Sequence, residues 1–382
     1  MIDVNESLVL GFLKKPGNSS CADCGSPDPE WASYTIGIFV CTRCAGIHRG
    51  LGVQVSKIKH LKLDKWDESH LHQIEEMGNA KVKMKYEQNV PIFYRKPREC
   101  DPHILVEQWI KAKYLRQEFI YIKSQTYLGG TMEGYLWKRG KNDPRFQPRK
   151  FVLSENEGSL KYFLKEKKAP KAVLKLTDLN VVLSPEKLCC PNSLQLTFLR
   201  DGTTRHIYVQ HCDPQVIVDW YQAIRCAKLH QLQVAFPAAS DSQLLPMLSN
   251  DFAMEGWLWK TGPKFQNVYK KRWFTMDNRK LMYHEHPLDA NPKGEIFLGN
   301  HLCGYSVRVG VPPNVKDHGF SFTLCTPNQT FYLSALKEEE RDKWIMVIGE
   351  TLSKQLTPQD NVMAANLIRK RPSVSNINLF TW

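Results

Sequence analysis

Hydrophobic positions along this chain recur at two different periods. Over residues 1–120 the period is helical. "DESHLHQIEEMG" (67–78) opens on Asp67, a good N-cap residue, and closes on Gly78, so it predicts a helix. "ILVEQWIKAKYLRQEF" (104–119) places Leu105, Trp109, Ala112, Leu115 and Phe119 on one face, with most of its lysines and arginines on the other. After "SQTYLGGT" (124–131), a linker by composition, the period drops to two. "NSLQLTFLR" (192–200) alternates with Leu194, Leu196 and Phe198 facing one way. "GFSFTLCT" (319–326) does so with Phe320, Phe322 and Leu324. Both predict half-buried strands of an antiparallel sandwich or barrel.

The strand-forming part is written twice. "MEGYLWKRG" (132–140) returns as "MEGWLWKTG" (254–262), and "RKFVLSENEGSLKYF" (149–163) as "RWFTMDNRKLMYH" (272–284). A repeat this long is a whole small domain rather than a solenoid unit. Each copy ends in a helical segment with one tryptophan, Trp220 or Trp344, and "FPAASDSQLLP" (236–246) joins the copies. The expected domains are residues 1–122, 130–233 and 252–356, followed by a polar tail, 357–382, expected to be disordered. The tail's "IRKRPSVS" (368–375) is a weak signal for a kinase site at Ser373 or a nuclear address, and more often such a run is simply solvated.

Composition narrows the setting. The 382 residues carry 52 Lys+Arg against 39 Asp+Glu, a formal charge of +13, which suits a negative partner: nucleic acid, an anionic membrane face or an acidic protein. Acidic residues precede the short apolar run at the N-terminus, the wrong order for a secretory signal. No stretch is long and apolar enough to span a bilayer, so membrane contact is expected to be peripheral. Eleven cysteines, without an export signal, favour metal binding where they cluster over a disulfide framework.

They cluster once. Cys21, Cys24, Cys41 and Cys44 form C-x2-C-x16-C-x2-C, and two such turns can enclose a tetrahedral zinc with no open position. Such a zinc would fold its module rather than activate water. A redox dithiol or four unrelated core cysteines are the bland alternatives. Cys100, Cys189, Cys190, Cys212, Cys226, Cys303 and Cys325 show no ligand spacing and are expected as free thiols in or near the two cores. A four-cysteine finger in a basic protein is also compatible with a DNA reader.

The residues that follow favour another family. Arg49 comes after Cys44 in "CTRCAGIHRGLG", and C-x2-C-x16-C-x2-C-x4-R resembles the ArfGAP signature. "WASYTIGIFVC" around Trp31, "LKLDKW" with Asp64 and Trp66, and Gly78–Asn79 extend the resemblance. It implies that Arg49 acts as an arginine finger, inserted in trans into the site of an Arf-family GTPase. A guanidinium is always charged and presents several donors in a fixed fork, which suits the charge that develops during GTP hydrolysis. The bland reading of Arg49 is a solvated surface arginine. His48 is not needed as a ligand, and Trp31 and Trp66 are expected as anchors rather than catalytic groups.

The order Gly-aromatic-Leu-Trp-Lys, basic loop, Arg before an apolar strand, then a Trp-bearing helix resembles the pleckstrin homology (PH) fold in both copies. The whole chain, over about residues 5–355, resembles the ArfGAP-with-dual-PH-domains family (centaurin-alpha type). "HRGLG" is closer to general ArfGAPs than to this subfamily. The fold class is therefore multidomain α+β: a mostly helical zinc-finger module followed by two β-sandwich domains, each with a C-terminal helix.

The resemblance also implies lipid sites. PH domains that bind 3-phosphorylated inositides use a Lys on strand one and Lys/Arg-x-Arg on strand two, because alternate strand residues share a face. The second copy matches with Lys260, Lys270 and Arg272, supported by Tyr283 and Lys293. The first matches with Lys138 and Arg149, supported by Tyr162 and Lys171, but has Gln147 where the pattern has a base. Headgroup binding is thus expected to fall more on Arg272→Cys than on Arg149→Cys. The implied ligands are phosphatidylinositol 3,4,5-trisphosphate and inositol 1,3,4,5-tetrakisphosphate. The reading is an activator of a partner's GTP hydrolysis, cytoplasmic and recruited to the plasma membrane, with one structural Zn2+ and no nucleic-acid partner. Its rivals are a phosphoinositide-dependent scaffold with an idle GAP domain and, more weakly, a DNA-binding finger.

Overall fold

The computed structural model describes residues 4–141, 143–165, 167–183, 186–200, 202–262 and 268–369. The suggested kinase site at Ser373 lies outside them. No helix among the described residues is long and apolar enough to cross a membrane.

The N-terminal module runs α1 (Val4–Leu13), β1 (Trp31–Ser33), β2 (Ile38–Val40), α2 (Thr42–Arg49), β3 (Ile58–His60), α3 (Glu68–Glu76), α4 (Gly78–Tyr86) and α5 (His103–Ile110). Its three short strands form one antiparallel sheet, ordered β2-β1-β3. Asp67 caps α3 through a capping box with His70, as its position predicts.

The amphipathic helix at 104–119 departs from the even 3.6 period. α5 continues into a π-turn over Lys111–Leu115, and Gln117 (φ 52) ends it. Leu105, Trp109, Ala112 and Phe119 are buried as expected, but Leu115 is 48% exposed. The extra residue in the turn rotates Lys113 inward to 1% exposure. A buried ammonium needs partners, and Lys113 Nζ has Asp23 at 3.3 Å and Glu87 at 3.0 Å.

The repeated segment folds twice in the same way. The first copy holds β4 (Thr131–Arg139), β5 (Phe146–Ser154), β6 (Ser159–Phe163), β7 (Ala172–Lys175), β8 (Asn180–Leu183), β9 (Ser193–Arg200), β10 (Thr203–Gln210) and α6 (Pro214–Ala235). After the short α7 (Asp241–Leu244), the second holds β11 (Met254–Thr261), β12 (Tyr269–Asp277), β13 (Lys280–His284), β14 (Gly294–Phe297), β15 (Ser306–Val309), β16 (Phe320–Thr326), β17 (Gln329–Ala335) and α8 (Glu338–Ser353). The strand orders are equivalent: β7-β6-β5-β4-β10-β9-β8 and β14-β13-β12-β11-β17-β16-β15.

The duplicated phrase has a packing reason. Trp220 of α6 covers Gly134, and Trp344 of α8 covers Gly256. A Cβ on either glycine would already touch the indole at 3.8 Å. The same rings meet Phe151 and Phe274 edge-on, each at 6.3 Å. Glycine in the first strand thus lets a helix tryptophan close each sandwich.

Four expectations change. Ser193–Phe198 of β9 is buried on both faces: its outer-face Gln195 and Thr197 bond His206 of β10, which in turn meets His284 and Ala290 of the second copy. Phe320 is 38% exposed at the start of β16, so the inward alternation begins only at Phe322. The two linkers are docked: Tyr127 packs edge-on to Phe93, and Leu244 and Leu248 are buried. The part of the expected disordered tail beyond residue 369 lies outside the described residues, and within the rest Pro358–Arg369 form α9. Asp360 there reaches Arg279 Nε at 3.1 Å, and that guanidinium also donates to the carbonyls of Gly299, Thr351, Lys354 and Gln355.

One hydrophobic core runs from the N-terminal module into the first copy, from Ile38 and Trp109 to Phe151 and Trp220. Polar contacts reinforce that seam: Arg225 Nε donates to Phe93 O at 2.9 Å, and Arg95 to Tyr221 OH at 3.2 Å. The second copy has its own core.

Candidate functional sites

The four motif cysteines converge. Cys21 and Cys24 lie in the loop before β1, Cys41 immediately precedes α2, and Cys44 sits in its first turn. Their Sγ atoms all lie within 4.8 Å of one another, with Cys24 and Cys41 at 3.6 Å. Four sulfurs about 2.3 Å from a zinc are about 3.8 Å apart along the edges of a tetrahedron. The set is all thiol and largely buried, so the residues fit one structural zinc. None of the other seven cysteines joins a disulfide. Cys226 is buried as expected, but Cys100, Cys189, Cys212 and Cys303 are exposed rather than tucked against a core.

Arg49 is the last residue of α2, so the helix that begins at the cysteine cluster carries it. It is exposed, with its guanidinium 4.4 Å from the centre of the Trp31 ring. Trp31 is itself fixed by its Nε1 bond to Thr42 Oγ1 (3.2 Å) and an edge-on contact with His60. Trp66 is a buried anchor whose Nε1 donates to His60 O.

His48 is no metal ligand. Its Nε2 meets Asp23 Oδ2 and its Nδ1 meets Ser56 Oγ, each at 2.9 Å, and all three residues are buried. Asp23, between the first two cysteines, also accepts from Lys113 and Tyr114 OH (3.0 Å). Burial alone would raise its carboxyl, but Lys113 and His48 outweigh it and hold it below the usual range. Sequence reading missed this network, because Lys113 enters only through the π-turn.

In the first copy Lys138, Arg149, Tyr162 and Lys171 line one cleft of about 660 Å³ with Gln147, Arg200 and Arg205. Lys138 pairs directly with Gln147 across β4–β5, while Leu136 pairs with Arg149, so all lie on the face at the sheet's open end. Lys138 Nζ stands 5.1 Å from the centre of Tyr162. Burial, then Arg205 and Arg149, push its ammonium down to about 8. Arg149 donates to Pro148 O at 2.8 Å and to Gln147 Oε1.

The second copy repeats this geometry. Lys260 pairs with Lys270 and Leu258 with Arg272. Lys260 Nζ stands 4.8 Å from Tyr283, and burial followed by Arg272 lowers its ammonium. Lys171 and Lys293 donate their backbone N–H to Tyr162 O and Tyr283 O, each at 2.8 Å. Lys293 also pairs with Glu285 at 2.8 Å. Arg200 and Arg205 escaped the sequence reading, although extending the alternation past Phe198 by one step reaches Arg200.

Comparison with known proteins agrees with this layout. The family model described as "Putative GTPase activating protein for Arf" matches residues 6–123, and the PH domain model matches 130–228 and 252–353. Human Arf-GAP with dual PH domain-containing protein 2 is 42% identical over 368 residues, spanning 94% of this chain and 96% of its own. Its mouse counterpart is 42% identical over 361 residues, 93% and 94% of the two chains. Mouse stromal membrane-associated protein 1 is 41% identical over 119 residues, only 31% of this chain and 26% of its own. Two relatives matched nearly end to end at this identity, together with one ArfGap and two PH matches in the same order, show that the chain belongs to the family of Arf-GAP proteins with dual PH domains.

Proposed function

We propose that this protein activates GTP hydrolysis by Arf-family GTPases, with Arg49 as the finger, at membranes gripped by its PH clefts. The observation that carries the reading is Arg49 itself: exposed, at the end of a helix anchored by a cysteine cluster that fits zinc. Zinc would supply rigidity at the start of α2, and no chemistry on the nucleotide.

Resting on Trp31 does not disable the finger. An exposed cation–π contact is worth about 0.5–1 kcal/mol. An inserted arginine contributes about 10³ to 10⁵ in rate, roughly 4–7 kcal/mol. Lifting Arg49 off the indole is therefore a small part of the gain. Trp31 keeps the guanidinium near the surface and limits the rotamers it must search.

The lysine and arginine face of the first cleft, and the equivalent face of the second copy, suit a multiply phosphorylated inositol, with phosphatidylinositol 3,4,5-trisphosphate and inositol 1,3,4,5-tetrakisphosphate as the proposed ligands. Two membrane grips on one chain raise residence well above either alone. The proposed location is cytoplasmic, with recruitment to the plasma membrane.

The test is GTP hydrolysis by several Arf proteins on liposomes, with and without phosphatidylinositol 3,4,5-trisphosphate. Wild type is compared with Arg49→Lys, which keeps charge but loses the fork. Lipid-dependent hydrolysis that falls about 10³-fold in the variant is the expected result. Hydrolysis at the intrinsic rate in wild type, with lipid binding intact, would replace this reading with a scaffold.

A further inference from the structure

Three of the cysteines outside the zinc motif meet in one place. Cys100, Cys189 and Cys190 line a single cavity of about 480 Å³, together with Asp101, His103 and Glu186. Cys100 belongs to the zinc module and lies just before α5. Cys189 and Cys190 belong to the first PH domain, in the connection between β8 and β9. All three thiols are free. Cys100 and Cys189 are exposed, and Cys190 is half-buried. The fold thus brings thiols from two domains to one opening.

Both loops are held. Arg43 sits between Cys41 and Cys44 on α2. Its guanidinium donates to Glu99 O at 2.8 Å and to Asp101 O at 2.7 Å, the carbonyls on either side of Cys100. The Asp101 carboxylate accepts from Arg95 and from the backbone N–H of Arg98. Cys100 is therefore presented by a turn that the zinc-motif helix grips on both sides. On the other loop, Cys189 N–H donates to Glu186 O at 3.0 Å, and Ser193 Oγ donates to Cys190 O at 2.7 Å. Cys189 has φ 49, in the left-handed region that residues with a Cβ seldom enter. Cys190 Sγ is 3.9 Å from Asn192 O, so Cys189 is the more available of the two neighbours. The same loop carries Lys187, whose Nζ pairs with Glu255 of the second PH domain and stands 4.8 Å from the centre of the Phe252 ring.

Two kinds of chemistry suit such a set. A soft metal ion needs three or four ligand atoms already close together, and among the described residues the four motif cysteines form that group. Thiol–disulfide chemistry needs only two thiols that can approach each other. Exposed pairs of this kind are the reducible ones, and in a reducing compartment their bond is transient.

We propose that Cys100 and Cys189 are a redox pair whose disulfide staples the zinc module to the first PH domain. The co-reactant is a small-molecule disulfide of the glutathione class. One cysteine, as thiolate, attacks it and forms a mixed disulfide. The expelled glutathione thiolate takes up the proton that the cysteine lost. The other cysteine thiolate then attacks the protein sulfur of the mixed disulfide. The Cys100–Cys189 bond forms, and the second glutathione leaves and is protonated in the same way. Two protein thiols are oxidised, and one disulfide is reduced to two thiols. A disulfide holds its two Cα atoms within about 4.4–6.8 Å, so the bond ties the two loops together across the cavity. Arg43 links Cys100 to the helix that ends in Arg49, and Lys187 links the other loop to the second PH domain. One covalent bond therefore braces all three domains.

The test uses the zinc-loaded full chain equilibrated in glutathione buffers from reduced to mostly disulfide. Thiols are trapped by alkylation, and the chain is digested without reductant and mapped by mass spectrometry. A peptide linking Cys100 to Cys189 should be at least about tenfold more abundant than any other pair of non-motif cysteines, because the fold gives these two a local concentration that the others lack. Urea with a zinc chelator should erase that preference. Cys100→Ser and Cys189→Ser should each remove the linked peptide, and Cys190→Ser should keep it. Urea titration of zinc release should give a higher midpoint in the oxidised than in the reduced wild type, and no such difference in Cys100→Ser.

Oxidation of the folded chain that yields only glutathione adducts, a Cys189–Cys190 bond, or the same mixture of pairs as the unfolded chain overturns the proposal. A Cys100–Cys189 bond that leaves the midpoint of zinc release unchanged overturns its bracing role.

Discussion

Replacing Lys113 with Met tests how the cysteine-bearing loop is held. Lys113 is buried, with Nζ 3.3 Å from Asp23, 3.0 Å from Glu87 and 3.1 Å from Ala22 O. Methionine keeps most of the volume and removes the charge. Asp23 retains His48 and Tyr114, and Glu87 retains Lys96 at 2.6 Å. Breaking a buried ion pair from one side costs about 3–5 kcal/mol, and the partners that remain place this case near the lower end, about 3. With a urea dependence of about 1–3 kcal/mol per molar, the midpoint should fall by about 1 M or more. The assay is zinc release to a chromophoric chelator during urea titration, which reports this module rather than the two sheets. The double variant with Asp23→Asn should lose less than the sum of the singles. An unchanged or raised midpoint would refute the view that this pair stabilises the module.

Two further outcomes are expected. His206 and His284 lie 5.3 Å apart at the seam between the PH domains, facing Lys187, Lys280, Asp289 and Glu295. Burial, with Lys187 among the neighbouring charges, holds both imidazoles below their usual value, His284 at about 4. Their neutral forms are favoured in the fold, so this stability is complete above about pH 6.5 and declines as pH falls toward about 4. Melting followed from about pH 7 to about pH 5 should show the loss, and His284→Gln should flatten it. Asp360→Ala leaves Arg279 buried with carbonyls alone; it should lower second-domain stability by about 3 kcal/mol in thermal melts and expose α9 to proteolysis.

The features legible in the sequence were those carried by local spacing. The cysteine pairs, Arg49 after Cys44, the two tryptophan-bearing helices and the doubled first strand all occupy short, regular patterns. What escaped depends on partners distant in sequence. Lys113 reads as a solvent-facing lysine until the π-turn rotates it toward Asp23, ninety positions away. The polar outer face of β9 reads as exposed until the second PH domain covers it. Arg205 reads as strand polarity until the sheet brings it opposite Arg149. The tail reads as disordered because its polar ends and basic run dominate the composition, and because the anchor of α9, Arg279, is distant in sequence, on the turn between β12 and β13.

The seam between the zinc module and the first PH domain has a geometric consequence. Their shared core packs the helix that carries Arg49 and the first sheet into one continuous unit. Under the proposed function, a lipid held in the first cleft would set both the height of Arg49 above the bilayer and its heading. The search for a membrane-tethered GTPase is then reduced to sliding and turning in a plane. A flexible tether of equal reach would keep the two proteins close while leaving the finger free to point anywhere, and alignment would have to be found anew at each encounter. On the proposed function alignment would be set by the fold, so a mutation that loosens the seam should slow Arf GTP hydrolysis on liposomes even where lipid binding and Arg49 are both intact.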